Sequence, residues 1–287
     1  MKFFSPLRYP GGKGRLADFV KQVFRDNLLC GGCYVEPYAG GASDALSLLF
    51  SGCASNVVIN DVDRAIYAFW HSIINKTEEF CERVKKATMD VPTWRSQQRI
   101  QRSKGKASLL DLGFATFYLN RTNRSGILGG GVIGGLDQEG AWKMDARFNK
   151  DELVERIQKI AKHKTRIKLY NLDACKLINQ LASLLPEKTV FYLDPPYYVK
   201  GQDLYVNYYQ PKDHDLVAKT TAKLKKHHWI VSYDNVPPIC RLYKSFRKIR
   251  YSIKYSADKS RMGNEVMFFS HALSIPRKKA PNGGELE

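Results

Sequence analysis

The feature that most constrains this chain is an ordered run of short segments near its start. Cys33-Tyr34-Val35-Glu36-Pro37 is apolar enough for a buried strand and ends in a Gly-containing turn. Ser43 to Phe50 has the pattern of a helix opening after that turn, and Asn56-Val57-Val58-Ile59-Asn60-Asp61 is a second strand ending on an acid. Strand, glycine turn, helix, strand, acid is the first half of a doubly wound α/β domain. The pattern resumes near residue 151, with helices expected over 151–163, 177–185, 211–226 and 237–245. Strands are expected over 166–171, 189–194, 229–233, 250–256 and 265–270.

The intervening stretch has a different character. Residues 64–120 read as four helices, near 64–76, 77–88, 93–103 and 107–120. From Arg83 to Lys106 there are eight basic residues, Arg95 and Arg99 among them, against the single acid Asp90. Glycines at 126, 129, 130, 131, 134 and 135 then mark a hairpin or mobile loop. The expected architecture is an α/β domain formed by 1–63 and 149–275, a mainly helical insertion at 64–148, and a flexible tail at 276–287.

Charge narrows the partners. Lys and Arg number 46 against 28 Asp and Glu, a net charge of +18. Such an excess favours a polyanion, nucleic acid first, with membrane surfaces, acidic proteins or a merely solvated basic face as the alternatives. No apolar run approaches the ~20 residues of a membrane span, and the amino terminus does not read as a secretory signal. The six cysteines are expected as reduced thiols. Cys30 and Cys33 form a CxxC with no second pair to complete a zinc site, so no metal is expected.

Asp194-Pro195-Pro196-Tyr197 directly follows the apolar run Thr189–Leu193. Ligands of open α/β sheets bind beyond the carboxyl ends of the strands. Two prolines fix φ where the chain leaves the sheet, and they present carbonyls without competing amide donors. The Asp194 carboxylate and the Pro195 carbonyl can hold both hydrogens of an exocyclic amine, turning its lone pair outward. The Tyr197 ring can stack on the base that carries it, a contact of ~1–3 kcal/mol. The bland alternative is a turn with an incidental Asp.

With this motif the chain resembles the Dam-like (D12 class) adenine-N6 DNA methyltransferases, from about residue 5 to 270. The family motifs occur in order: Arg8-Tyr9-Pro10-Gly11-Gly12-Lys13, Tyr34 to Ala42, Asn60-Asp61, Asn171-Leu172-Asp173, and Asp194 to Tyr197. The resemblance implies a Rossmann-like methyltransferase sheet that uses S-adenosylmethionine, with the insertion serving as a target recognition domain on double-stranded DNA. It implies that Tyr9 and Lys13 contact the methionine part of the donor. The turn at Glu36 and Gly40 would cradle the same end, Glu36 orienting the loop or the ammonium or else only capping backbone amides, with Tyr38 packing on the cofactor. An acid at Asp61 suits the ribose hydroxyls, as the position after a second strand also suggests. Asp173 would accept from the donor's adenine amine or simply cap a helix.

Tyr118 to Gly126 resembles the family's Asn-Arg-Thr segment, which assigns Asn120, Arg121, Asn123 and Arg124 to DNA, with Arg95 and Arg99 on phosphates. The Gly-richness of Ile127 to Leu136 departs from Dam, so the Dam target sequence does not carry over. The implied reaction is base flipping followed by in-line transfer to N6. Cytosine N4, RNA adenine, or a non-catalytic DNA-binding relative are the other readings. A cytoplasmic, DNA-associated enzyme is expected, with its oligomeric state open, a monomer included, and its setting open among restriction–modification, phage and housekeeping roles.

Overall fold

The computed structural model describes residues 4–8, 16–198, 209–255, 261–276 and 285–286. The chain forms two compact units. One comprises Met1–Gly11 with Asp61–Asn171, the other Gly12–Asn60 with Leu172–Glu287.

The second unit carries the sheet. Its strands are β1 (Gly32–Glu36), β2 (Ala54–Asn60), β4 (Thr189–Leu193), β5 (His228–Asp234), β6 (Arg247–Tyr255), β7 (Arg261–Phe269) and β8 (Glu285–Leu286); β3 (Ile167–Tyr170) belongs to the other unit. They lie in the order β2-β1-β4-β5-β7-β6-β8. The β2-β1-β4-β5 part is parallel, and β7 runs antiparallel to both β5 and β6. All five residues of β1 and of β4 are buried, as parallel strands covered on both faces require. The helices of this unit are α1 (Leu16–Asp26), α2 (Ser43–Phe50), α8 (Ala174–Leu181), α9 (Pro211–Ala222) and α10 (Pro237–Leu242). Along α1, Leu16, Phe19, Val20, Val23 and Phe24 recur at helical spacing and are all buried. From β1 the chain passes to β2 on one side and later enters β4 on the other. The strand order therefore reverses between β1 and β4, the place where such sheets bind ligands.

The other unit is mainly helical: α3 (Arg64–Asn75), α4 (Thr77–Lys86), α5 (Val91–Arg102), α6 (Leu109–Thr122) and α7 (Lys150–Ala161), with the short strand β3 (Ile167–Tyr170). Phe69, Phe80, Phe117 and Phe148 interlock at its centre, Phe69 and Phe117 stacked at 6.0 Å. Gly113 lets α6 approach α3: a Cβ there would lie 2.5 Å from the Ala68 carbonyl oxygen.

Three boundaries differ from expectation. Residues 4–8, expected in the α/β domain, cluster with the helices, where the Arg8 backbone pairs with the Asn120 side chain. Residues 149–171, expected in the α/β domain, cluster with the helices, because α7 packs its buried face on α3 and α4. In the tail expected to be loose, Glu285 and Leu286 pair antiparallel with Arg250 and Ile249. The glycine-rich stretch does turn back as a hairpin: Asn123 bridges Val132, and the Arg124 N–H donates to the Gly131 carbonyl at 2.9 Å.

Candidate active site

Two strand ends meet at the reversal point of the sheet. Val35 and Phe191 are register partners, so β1 ends at Glu36 one residue short of the level where β4 ends at Leu193, and Asp194 follows close enough for its charge to act on Glu36. Glu36 is buried, and its Oε1 accepts from the Tyr34 hydroxyl at 3.0 Å and from the Ala45 N–H at 3.1 Å. The local reason is the start of α2. Its N-cap is Ala42, at φ 45°, which has no side-chain acceptor, so Glu36 supplies the cap from the preceding strand. Burial, and then Asp44, push the Glu36 pKa well above the usual carboxylate value, against the two hydrogen bonds. Its Oε2 is buried without a hydrogen-bond partner among the described residues. A hydrogen-bond partner is what such an oxygen lacks, and a cationic donor placed there would also draw the proton off Glu36. Gly40 holds φ 45° in the same turn, a conformation that costs glycine little. An orphaned carboxylate oxygen in a small-residue turn fits the ammonium end of an aminoacyl donor.

Asn60, at the end of β2, is wholly buried and ties three loops together. Its Nδ2 donates to the Pro37 and Leu172 carbonyls at 2.8 and 2.9 Å, and its Oδ1 accepts from the Leu172 N–H at 2.9 Å. Asp61 follows directly; its Oδ1 accepts from the Asp63 N–H at 2.9 Å. Asp173 caps α8, accepting from the Lys176 N–H at 3.0 Å. Tyr38 is half-buried, its hydroxyl 3.1 Å from that of Tyr209. Tyr9 and Lys13 lie outside the described residues.

The Asp194–Tyr197 turn is held from two neighbouring strands. The Tyr198 N–H donates to Asp234 Oδ1 of β5 at 3.0 Å, and the Tyr197 hydroxyl donates to Glu265 Oε1 of β7. Pro195 is buried, Asp194 and Pro196 are half-buried, and Tyr197 is 4% exposed. Burial, then the neighbouring Asp194 and Glu265, push the Tyr197 phenol well above its ordinary pKa. Asp234 lies in Ser232-Tyr233-Asp234-Asn235, a strand end that resembles a later family motif to which the sequence assigns no chemistry, and nothing in the sequence singles out Glu265. An acid at or near the end of an apolar strand is a signal that many strands share.

In the helical unit the six DNA candidates separate. Arg95, Arg99 and Arg124 are exposed. Asn120, Arg121 and Asn123 are buried. Asn120 pairs with the Arg8 backbone, Oδ1 accepting and Nδ2 donating at 2.7 Å each, and also donates to Gly126 at 2.9 Å. Asn123 accepts from the Trp94 indole at 2.7 Å and donates to the Ile127 and Leu128 carbonyls. Burial, then Arg156 and Arg8, lower the pKa of Arg121 to about 9. A groove of about 510 Å³ is lined by Trp94, Arg95, Gln98, Arg102, Arg124 and Leu136. No helix among the described residues is long and apolar enough to cross a membrane.

Known proteins bear on this site through one family model, the D12 class N6 adenine-specific DNA methyltransferases, which matches residues 9–262. No curated protein sequence matches the chain. Among solved structures, the rRNA methyltransferase AviRa of Streptomyces viridochromogenes is similar at 14% identity and TM-score 0.39, over 92% of this chain and 86% of its own. Protein PH1948 of Pyrococcus horikoshii is similar at 9% identity and TM-score 0.44, over 98% and 93%. The family model spans the first glycine motif, the sheet, the helical unit and the Asp194 turn, and the chain belongs to the D12 class N6 adenine-specific DNA methyltransferases.

Proposed function

We propose that this adenine-N6 DNA methyltransferase takes its methyl group from S-adenosylmethionine and works at the reversal point between β1 and β4. The observation that carries the reading is the pairing of the two strand ends, the half-orphaned Glu36 on one and Asp194-Pro195 on the other. Glu36 and the Gly40 turn hold the aminoacyl end of the donor, with Tyr38, Asp61 and Asp173 assigned to its other parts and Tyr9 and Lys13 to its methionine. When bound, the donor supplies an electrophilic methyl group on a positive sulfur.

The chain's own part is alignment. Asp194 and the Pro195 carbonyl accept the two hydrogens of the adenine amine and hold its lone pair toward the methyl group. Tyr197 packs on the base. Prolines at 195 and 196 make these acceptors stiff, so little ordering remains for the moment of reaction. The amine proton leaves after transfer, and no strong base is required. Adenine N6 cannot enter such a pocket from within a stacked duplex, so the base is extruded first.

DNA binding is assigned to exposed Arg95, Arg99 and Arg124 on phosphates. Buried Asn120 and Asn123 act indirectly, by holding the hairpin in shape, and Arg121 adds positive charge beneath them. The test is transfer of labelled methyl from S-adenosylmethionine to duplex DNA, followed by nucleoside analysis. Wild type yields N6-methyladenine, and Asp194→Ala yields none with an unchanged melting profile. Near-normal transfer by that variant would falsify the mechanism.

A further inference from the structure

Glu265 occupies a central place beneath the reactive turn. On β7 it is in register with Asp234 of β5 on one side and Tyr251 of β6 on the other. It is 1% exposed and accepts from two phenols, Tyr197 through Oε1 and Tyr251 through Oε2 at 3.1 Å. The Tyr251 hydroxyl in turn pairs with Ser232 Oγ of β5 at 2.9 Å. Buried carboxylates persist where hydrogen bonds satisfy them, and here a bond ends on the ring assigned to the target base.

A tyrosine side chain has two torsions to settle. The Tyr198 N–H to Asp234 bond fixes the backbone just past the ring's attachment, and the Glu265 bond fixes the far end. With both ends anchored to strands, the plane of the ring is set before any base arrives. We propose that Glu265 is a positioning residue for methyl transfer, holding Tyr197 at the tilt that aligns the flipped adenine with Asp194 and the Pro195 carbonyl. This rests on the assignment of Tyr197 to the base. Phenylalanine at 197 would keep the stacking area and lose the tilt, which gives the hydroxyl a purpose it otherwise lacks in a buried ring.

The test uses the full chain labelled with 3-fluorotyrosine, with the Tyr197 fluorine resonance identified by its loss in Tyr197→Phe. Glu265→Ala should shift and sharpen that resonance as the ring gains freedom. Glu265→Gln keeps an acceptor for Tyr197, and its amide can donate to Tyr251 while Tyr251 donates to Ser232, so it should restore most of the native signal. In methyl transfer, Glu265→Ala and Tyr197→Phe should each lower kcat by about 10- to 100-fold. KM for duplex DNA, set mainly by backbone contacts, should change little, and the double variant should be no slower than either single one. An unchanged Tyr197 resonance in Glu265→Ala, wild-type kcat in either single variant, or multiplying losses in the double one would each overturn the proposal. Should Glu265→Ala fail to fold, kcat of Tyr197→Phe decides. A wild type that transfers no methyl group removes the proposed function, while the resonance still decides whether Glu265 fixes the ring.

Discussion

The side chain of Asn60 pairs with Leu172 as one backbone pairs with another, accepting from its N–H and donating to its C=O, both at 2.9 Å. A third bond reaches the Pro37 carbonyl at 2.8 Å. One amide thereby joins the end of β2 to the turn after β1 and to the segment before α8, which carry Tyr38 and Asp173 and adjoin Glu36.

Asn60→Ala should therefore be costly. It leaves the buried Pro37 carbonyl and the partly buried N–H and carbonyl of Leu172 without their partners, at roughly 1–3 kcal/mol for each unmet group. A loss of about 3 kcal/mol in urea-induced unfolding is expected. A loss below about 1 kcal/mol would mean that water or backbone movement meets these groups instead.

Glu36 should couple stability to pH in the direction opposite to a salt-bridged acid. Its folded pKa lies above the unfolded value of 4.5, burial being the main cause. The folded state thus holds this proton more tightly, and the contribution is complete below the unfolded pKa and lost as pH rises through the folded one. Glu36→Gln should gain stability over wild type as pH rises from the unfolded pKa through the raised folded one. It should also bind S-adenosylmethionine more weakly by calorimetry. A stability gap that stays constant with pH would show that the carboxyl is not held this way.

The arginines and asparagines of the helical unit should differ in kind. Replacing Arg95, Arg99 or Arg124 by Ala should reduce the salt slope of DNA binding by about 0.9 per lost phosphate contact and leave the melting temperature alone. Asn123→Ala instead abandons the Trp94 indole and should cost about 1–3 kcal/mol in stability. An Asn123→Ala protein that melts like wild type would contradict the hairpin anchorage.

Gly113→Val tests the α3–α6 crossing. The new Cβ meets backbone, the Ala68 oxygen at 2.5 Å, so one helix must move. Overpacking of this sort costs about 1–3 kcal/mol, read as a lower midpoint in thermal unfolding. No change would place slack between the helices.

Local pattern alone determined much of this protein. The glycine turn between β1 and α2, the apolar run of β4 and the helical periodicity of 64–120 are properties of neighbouring residues, so the sheet, the helices and the place of Asp194 were legible in order. Family motifs are likewise contiguous, which is why methyl transfer to adenine could be read from them. Partnership across distance came from folding. Asn60 finds Leu172 over 112 residues, Asp234 finds Tyr198 over 36, and Glu265 finds Tyr197 over 68. Asn120 and Asn123 carry the composition of an exposed, DNA-reading helix end, yet Arg8 and Trp94 bury them. Hydrogen-bond satisfaction depends on which groups packing brings within 3 Å, and no periodicity along one segment records what a distant segment will present to it.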